Sequence, residues 1–192
     1  MSRKKAVRQL RAIFAMEKLK QRDLAPTRVL KPSKEAGITR VRDFYDIHSY
    51  AVSGMTLLDP DGYRELLSIG MSDAELGTAA HTALAASRFL ELNDPEWDRV
   101  KAHWNLEQAK KDEERLKARA GVKTRKALYK GAGRVILIQE DGQISIRPSR
   151  YGGGEDWYPV QAHEPANLPE NVTDEELGAV IRRELDISTS AR

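Results

Sequence analysis

Arg134-Val-Ile-Leu-Ile-Gln-Glu-Asp-Gly-Gln-Ile-Ser-Ile-Arg147 is the stretch from which the fold class is read. Asp141-Gly142 supplies the positive φ angles that a two-residue hairpin turn needs, and strand-forming residues lie on both sides of it. Ile144 and Ile146 share one face of the second strand, with Ser145 and Arg147 on the other. Val135–Ile138 is apolar on both faces, which predicts a strand central in its sheet, and Pro148 is expected to end the strand that follows.

Downstream, residues 149–172 read as a loop, with Gly152-Gly153-Gly154, Pro159, Pro165 and Pro169. Thr173-Asp174-Glu175-Glu176 then has the form of a capping box and opens a terminal helix carrying Leu177, Val180, Ile181 and Leu185. Upstream, Ser72-Asp73-Ala74-Glu75 is a second capping box, opening a helix that turns Leu76, Ala80, Ala83, Leu84 and Phe89 towards a core. The two helices begin with one phrase, Ser72-Asp-Ala-Glu-Leu-Gly77 and Thr173-Asp-Glu-Glu-Leu-Gly178. Six residues are too few to mark a duplication, but they predict similar starts, with Gly77 and Gly178 each admitting a close backbone.

Between these landmarks, Val41–Ser49 has the aromatic and β-branched content of a strand, and Pro60-Asp61-Gly62 a turn. Asn93-Asp94-Pro95 starts a helix with Trp97, Val100 and Trp104 on one stripe. The run from Leu106 to Arg119 is dominated by mixed charge, reads as a solvated helix and stops at Gly121; Thr124–Lys130 is a short helix. Strand, helices, hairpin and helix in that order predict an α+β domain, a mainly antiparallel sheet packed with several helices.

The charge is divided along the chain. Residues 1–42 hold 13 Lys/Arg against 3 acids, so 19 Lys/Arg and 26 Asp/Glu remain for residues 43–192, a balance of −7. Residues 3–20 read as a basic amphipathic helix and residues 24–40, with Pro26, Pro32 and Gly37, as a linker. The division expected is therefore a basic helical extension over 1–40 and a domain over 41–188. An acidic body suits a cationic protein partner better than nucleic acid. Cysteine is absent, which excludes disulfides and thiolate chemistry. No apolar run approaches the roughly 20 residues that span a bilayer, and no secretory leader is recognisable. A cytoplasmic protein is expected.

Catalytic signatures are missing. His48, His81, His103 and His163 have no second ligand at metal-site spacing, there is no G-x-S-x-G elbow, and Gly131-Ala132-Gly133 precedes a strand instead of leading from one into a helix. The expectation is no enzyme, no metal and no cofactor. What stands out is the interval between Arg150 and Arg182, which has seven acids and no Lys or Arg. Glu155, Asp156, Trp157, Tyr158, Glu164 and Glu170 are the candidate contacts for a basic partner, an acidic surface with an aromatic anchor. The competing structural reading has Trp157 filling the core and Asp174–Glu176 serving the helix dipole.

Several phrases, in order, resemble one family. Asp43-Phe-Tyr-Asp-Ile47, Ser72-Asp-Ala-Glu-Leu-Gly77 through Ala-Ala-Ser87-Arg88-Phe89, and Lys123-Thr-Arg-Lys-Ala-Leu-Tyr-Lys130 are similar to segments of the immunity proteins of bacterial contact-dependent growth inhibition (the CdiI type). So are the hairpin ending Ile144-Ser-Ile-Arg-Pro-Ser149, then Trp157, and Glu176-Leu-Gly-Ala-Val-Ile-Arg-Arg183. The resemblance runs from about residue 43 to 186. Residues 1–40 fall outside the pattern, and Tyr151-Gly-Gly-Gly154 stands where it is more polar. The resemblance implies a protein that binds and neutralises the toxic C-terminal domain of a partner delivered by neighbouring cells, often a nuclease. The alternative from composition is a nucleic-acid or membrane-surface binder acting through the basic N-terminal helix.

Overall fold

The computed structural model of the protein describes residues 31–153 and 156–191. The basic helix expected over residues 3–20 lies outside the described residues. The hairpin forms as read: β6 (Gly133–Glu140) and β7 (Gln143–Tyr151) pair antiparallel, and the turn has φ +50° at Asp141 and +75° at Gly142. β6 lies between β1 (Lys34–Val41) and β7, central as its apolar faces require. The linker expected over 24–40 therefore gives way to a strand from Lys34 onwards. β1 turns through Arg42 and Asp43 directly into β2 (Phe44–Val52), with Arg42 at φ +52°.

The sheet runs β3-β2-β1-β6-β7-β8. The outer edge of β2 takes β4 (Arg64–Ser68) along its first half and β3 (Thr56–Leu58) along its end, while the two-residue parallel β5 (Arg88–Phe89) pairs with Ala51 and Val52 from the opposite side. On the far side, β8 (Trp157–Pro159) and β9 (Ala166–Pro169) both pair with β7, where a loop was expected. Pro148 does not end β7. It pairs with Val135 in mid-strand, and its carbonyl accepts from Val160 N–H at 3.2 Å, on the side away from β6. Its missing N–H thus falls in the gap between β9 and β8 and removes nothing from the β6–β7 ladder. The other helices are α1 (Asp73–Ala86), α2 (Pro95–His103), α3 (Leu106–Ala120), α4 (Arg125–Leu128) and α5 (Asp174–Ser190). Phe89 is not on the core face of α1. The helix ends at Ala86, because Ser87 takes extended angles and its Oγ donates to the Tyr50 carbonyl at 2.7 Å.

α1 and α5 cover one face of the sheet. Leu76, Ala80, Leu84, Leu177, Ile181 and Leu185 pack on Ile38, Tyr45, Ile47, Val135, Leu137 and Ile146, all buried. The repeated phrase explains the crossing. A Cβ on Gly77 would collide with the Asp174 carbonyl, and one on Gly178 with the Asp73 carbonyl. Each helix start therefore lies against the backbone of the other. The first acid of each helix also finds its partner on the opposite one. Asp174 accepts from Thr78 Oγ1 and pairs with His81 Nδ1, both at 2.6 Å, while Asp73 pairs with Arg182. Ser72 and Glu75 complete a capping box, and Thr173 Oγ1 accepts from Glu176 N–H at 3.2 Å.

The opposite face is covered in part by α3 and α4, where Leu116 and Leu128 pack on Val41 and Phe44. In α2, Trp97 and Val100 are buried, while Trp104 just past its end is 46% exposed. The charged run of α3 is only half the solvated face expected of it. Asp112, Glu113 and Lys117 keep side-chain exposures of 18, 23 and 13%, and the first two turn inward.

No side chain of any size fits between the two helix starts. Gly77→Ala is expected to destabilise the domain by about 1–3 kcal/mol, and Gly178→Ala by a similar amount. The double variant should cost less than the sum, since one separation of the helices relieves both collisions. Urea unfolding of the three variants checks both statements.

Candidate functional site

Alternation along β2 divides its side chains into two sets. Tyr45 and Ile47 enter the core under α1 and α5, while Asp46, His48 and Tyr50 point to the face that α3 and α4 cover only partly. They form the floor of a cavity of about 490 Å³. Arg64 from β4, Arg134 from β6, Asp112 and Glu113 from α3, Arg125 from α4, Tyr129 just past its end and Trp157 from β8 stand in its walls. Room on the floor depends on Gly37, which faces His48 across the β1–β2 ladder. A Cβ there would come within 2.5 Å of His48 Nε2 and 2.6 Å of the Tyr50 oxygen.

The cavity is lined by charge. Arg64 Nη1 pairs with Asp112 at 2.7 Å and Arg125 Nη1 with Glu113 at 3.2 Å. Arg134 Nη2 donates to the Tyr50 oxygen at 2.8 Å, and His48 Nε2 lies 2.9 Å from the same atom. Asp46 is contacted by three cations, none close enough for a hydrogen bond: His48 Nδ1 and Arg64 Nε at 3.6 Å and the more exposed Arg115 at 3.7 Å. Asp46 Oδ1, His48 Nδ1, Arg64 Nε, Asp112 Oδ2 and Arg134 Nε are all buried and without a hydrogen-bond partner among the described residues. Such groups are costly to leave unmet in a folded protein, and most of those found here line this one space.

Burial opposes the charge on His48, but the Tyr50 oxygen and the Asp46 carboxylate more than offset it, and its pKa is pushed up to about 9. Burial likewise works against the Asp46 anion, yet His48, Arg64 and Arg115 hold its carboxyl below the ordinary value. Tyr50 is lowered despite its burial, because His48 and Arg134 both favour the phenolate. At neutral pH the floor therefore contains an imidazolium and a carboxylate.

The six residues singled out from the acidic interval are not brought together. Glu155 lies outside the described residues. Asp156 and Tyr158 are exposed and bonded to each other at 3.2 Å, and the Tyr158 ring lies under Arg150. Trp157 is half-buried between Tyr129 and Tyr151, with centroids 5.6 and 5.4 Å away, and its other side lines the cavity. Glu164 is exposed. Glu170 stands at the other end of β7, its N–H on the Gly142 carbonyl and its carboxylate on Gln139 Nε2. The registers Tyr151↔Trp157 and Gln143↔Pro169 put the two ends eight residues apart along β7, about 26 Å. Asp46, Tyr50, Arg64 and Arg134 escaped the sequence reading, and His48 drew notice only for lacking a metal partner. The available signal was the polar period-two pattern Asp46-Ile-His48-Ser-Tyr50 inside an apolar strand, with Gly37 in the strand beside it. Among the described residues no group of three or more His, Asp or Glu side chains is placed to hold a metal ion.

The raised pKa of His48 has a stability consequence with a definite sign. Its contribution is fully present below the unfolded value of about 6.5 and is lost as pH rises through about 9. NMR titration of the imidazole is expected to show the charged form persisting to about pH 9, and Asp46→Asn should bring the midpoint down. A His48 midpoint near 6.5 in the unaltered protein would contradict this description of the floor.

The described fold is shared with solved structures. A protein of unknown function, NMB0488, from Neisseria meningitidis is 25% identical with a TM-score of 0.70, over 84% of this chain and 99% of its own. A CdiA-CT/CdiI toxin and immunity complex from Yersinia pseudotuberculosis contains a chain 23% identical with a TM-score of 0.68, over 81% of this chain and 97% of its own. Among curated proteins no match is found. One family model, described as CDI immunity protein, matches residues 34–188, from the first residue of β1 into the last turns of α5. The chain belongs to the CDI immunity protein family.

Proposed function

We propose that this protein binds the C-terminal toxin domain of a contact-dependent growth inhibition system and neutralises it by occupation, not by catalysis, in the cytoplasm. The observation that carries the reading is the family match over residues 34–188. The structural likeness to a chain of a toxin and immunity complex supports it. In this reading the toxin domain is a cationic nuclease. The −7 balance of residues 43–192 would draw such a partner in, and electrostatic steering raises association towards roughly 10⁸–10⁹ M⁻¹s⁻¹ at low salt.

The contact surface proposed is the outer edge beyond β7, where Asp156, Trp157 and Tyr158 form one end, Glu164 lies in the β8–β9 connection and Glu170 forms the other end; Glu155, outside the described residues, is added as the chain neighbour of Asp156. A span of about 26 Å along β7 is within the footprint of a standard interface of about 800 Å² per partner. Trp157 is the anchor in this reading, since it is held edge-on by Tyr129 and needs little further ordering on binding.

The test is co-expression with the C-terminal domain of the large toxin-like protein expected beside it, reading growth and co-purification. Rescue with a stable complex is the expected result; an active toxin with neither rescue nor complex refutes the pairing. With the complex in hand, Glu155→Lys combined with Asp156→Lys should slow association roughly tenfold and flatten its salt dependence, leaving dissociation nearly unchanged. Unchanged association rates would move the interface elsewhere. Removing residues 1–30 should leave rescue intact, whereas a binder acting through its basic helix would lose its function.

A further inference from the structure

The cavity on β2 has an uneven distribution of charge. On its outer side each guanidinium has a carboxylate, Arg64 on Asp112 and Arg125 on Glu113. Its inner end is different. There Arg134 and His48 meet over the Tyr50 oxygen, and among the described residues no carboxylate comes within hydrogen-bond distance of either, Asp46 standing 3.6 Å from His48 Nδ1. Arg134 also lies over the Trp157 ring, 5.6 Å from its centroid, so its plane is fixed from a second direction. Its Nε–H is buried and has no acceptor among the described residues. An oriented guanidinium with an unused N–H, next to an aromatic face in a space of about 490 Å³, is the arrangement of a pocket that takes a ligand with a planar anionic group.

We infer that the inner end of this cavity binds a carboxylate carried on a planar or apolar body, with Arg134 taking the carboxylate and Trp157 and Tyr129 flanking the body. Several observations narrow the ligand. Asp46, whose side chain is 7% exposed, and Asp112 face His48, Arg64 and Arg134 across the floor. With Lys110 also on the lining, the cations outnumber these two acids, which suits an anionic ligand. Beside Thr56 and Lys110, the residues Leu57, Leu58, Trp104 and Ala109 give the remaining wall an apolar part, which a bare small anion would not use. The carboxylate has two possible sources, a free small molecule or an aspartate or glutamate side chain of a bound partner. The second source rests on the immunity reading and the first does not.

Benzoate is the probe, added to the purified full-length protein against acetate and against sodium chloride at matched ionic strength. Tryptophan fluorescence and the Nε–H resonance of Arg134 are the readouts. A free-carboxylate site predicts saturation by benzoate at millimolar concentration, weaker binding of acetate and no saturation by chloride. The signal should disappear in Arg134→Met and remain in Arg99→Met, a change on the exposed surface of α2. A site filled by the partner predicts no saturation, but a toxin complex weakened roughly tenfold or more by Arg134→Met and less by Arg134→Lys, which keeps the charge. If Arg134→Met fails to fold, the Arg134 resonance of the unaltered protein and the Arg134→Lys complex decide between the same outcomes. Absence of benzoate saturation together with an unaltered toxin complex overturns the inference. If no toxin complex forms at all, the immunity reading fails on its own, and the benzoate arm alone decides this one.

Discussion

Two helix starts in backbone contact set the dimensions of this domain. Gly77 and Gly178 leave no side chain between α1 and α5, so the distance between the helices is fixed by main-chain atoms. The charges follow from that approach. Each first-turn aspartate stabilises the positive end of its own helix and also pairs with a nitrogen-bearing side chain four residues beyond the glycine of the other, Asp174 with His81 and Asp73 with Arg182. Arg182 continues past Asp73 to the Tyr45 hydroxyl, 2.8 Å away, and its guanidinium lies over the Tyr45 ring. The helix pair is thus held to β2 by a side chain that already serves the crossing. The small residues Ala79, Ala80 and Ala83 of α1 keep that helix close to its neighbours along its length.

With one face of the sheet closed in this way, the other is free to be polar. β2 is buried along its whole length, yet only Tyr45 and Ile47 meet the layer of α1 and α5, while Phe44 and Ala51 enter smaller apolar clusters. Asp46, His48 and Tyr50 are kept from water by other charged groups, and a buried charge in that position needs partners on several sides. Arg64, Arg134 and the inward part of α3 supply them. The mixed sequence of α3 is therefore shared between solvent and the cavity wall, with Lys117 held across Glu113 and Glu114 at its rim.

Much of the fold was legible where a local rule has a local sign. Asp141-Gly142 marked its hairpin, Ser72 and Thr173 marked two helix starts, and Gly77 and Gly178 marked a close approach. The β1–β2 hairpin was missed because its turn, Arg42-Asp43, carries neither glycine nor asparagine, although Arg42 takes a positive φ. The same error hid the site. Gly37 counted as a linker residue when it stands in a strand to make room for His48 and Tyr50. Pro148 was taken as a strand end because a sequence does not show which side of a strand lacks a neighbour. The cavity was illegible for a related reason: its walls come from β2, β4, β6, α3, α4 and β8, and only the sheet order brings them together.

The crossing also dictates the order in which the molecule assembles. Its bonds join residues far apart in the chain, 96 apart from Thr78 to Asp174 and 109 apart from Asp73 to Arg182. The two hairpins close over a few residues each and form cheaply, whereas the helix pair must first close a loop that contains most of the domain. Until α5 arrives, the part of the sheet that it covers and the facing side of α1 lack their apolar partner among the described residues. The slow step of folding is then the docking of the last helix, and the chain is most exposed to self-association just before it.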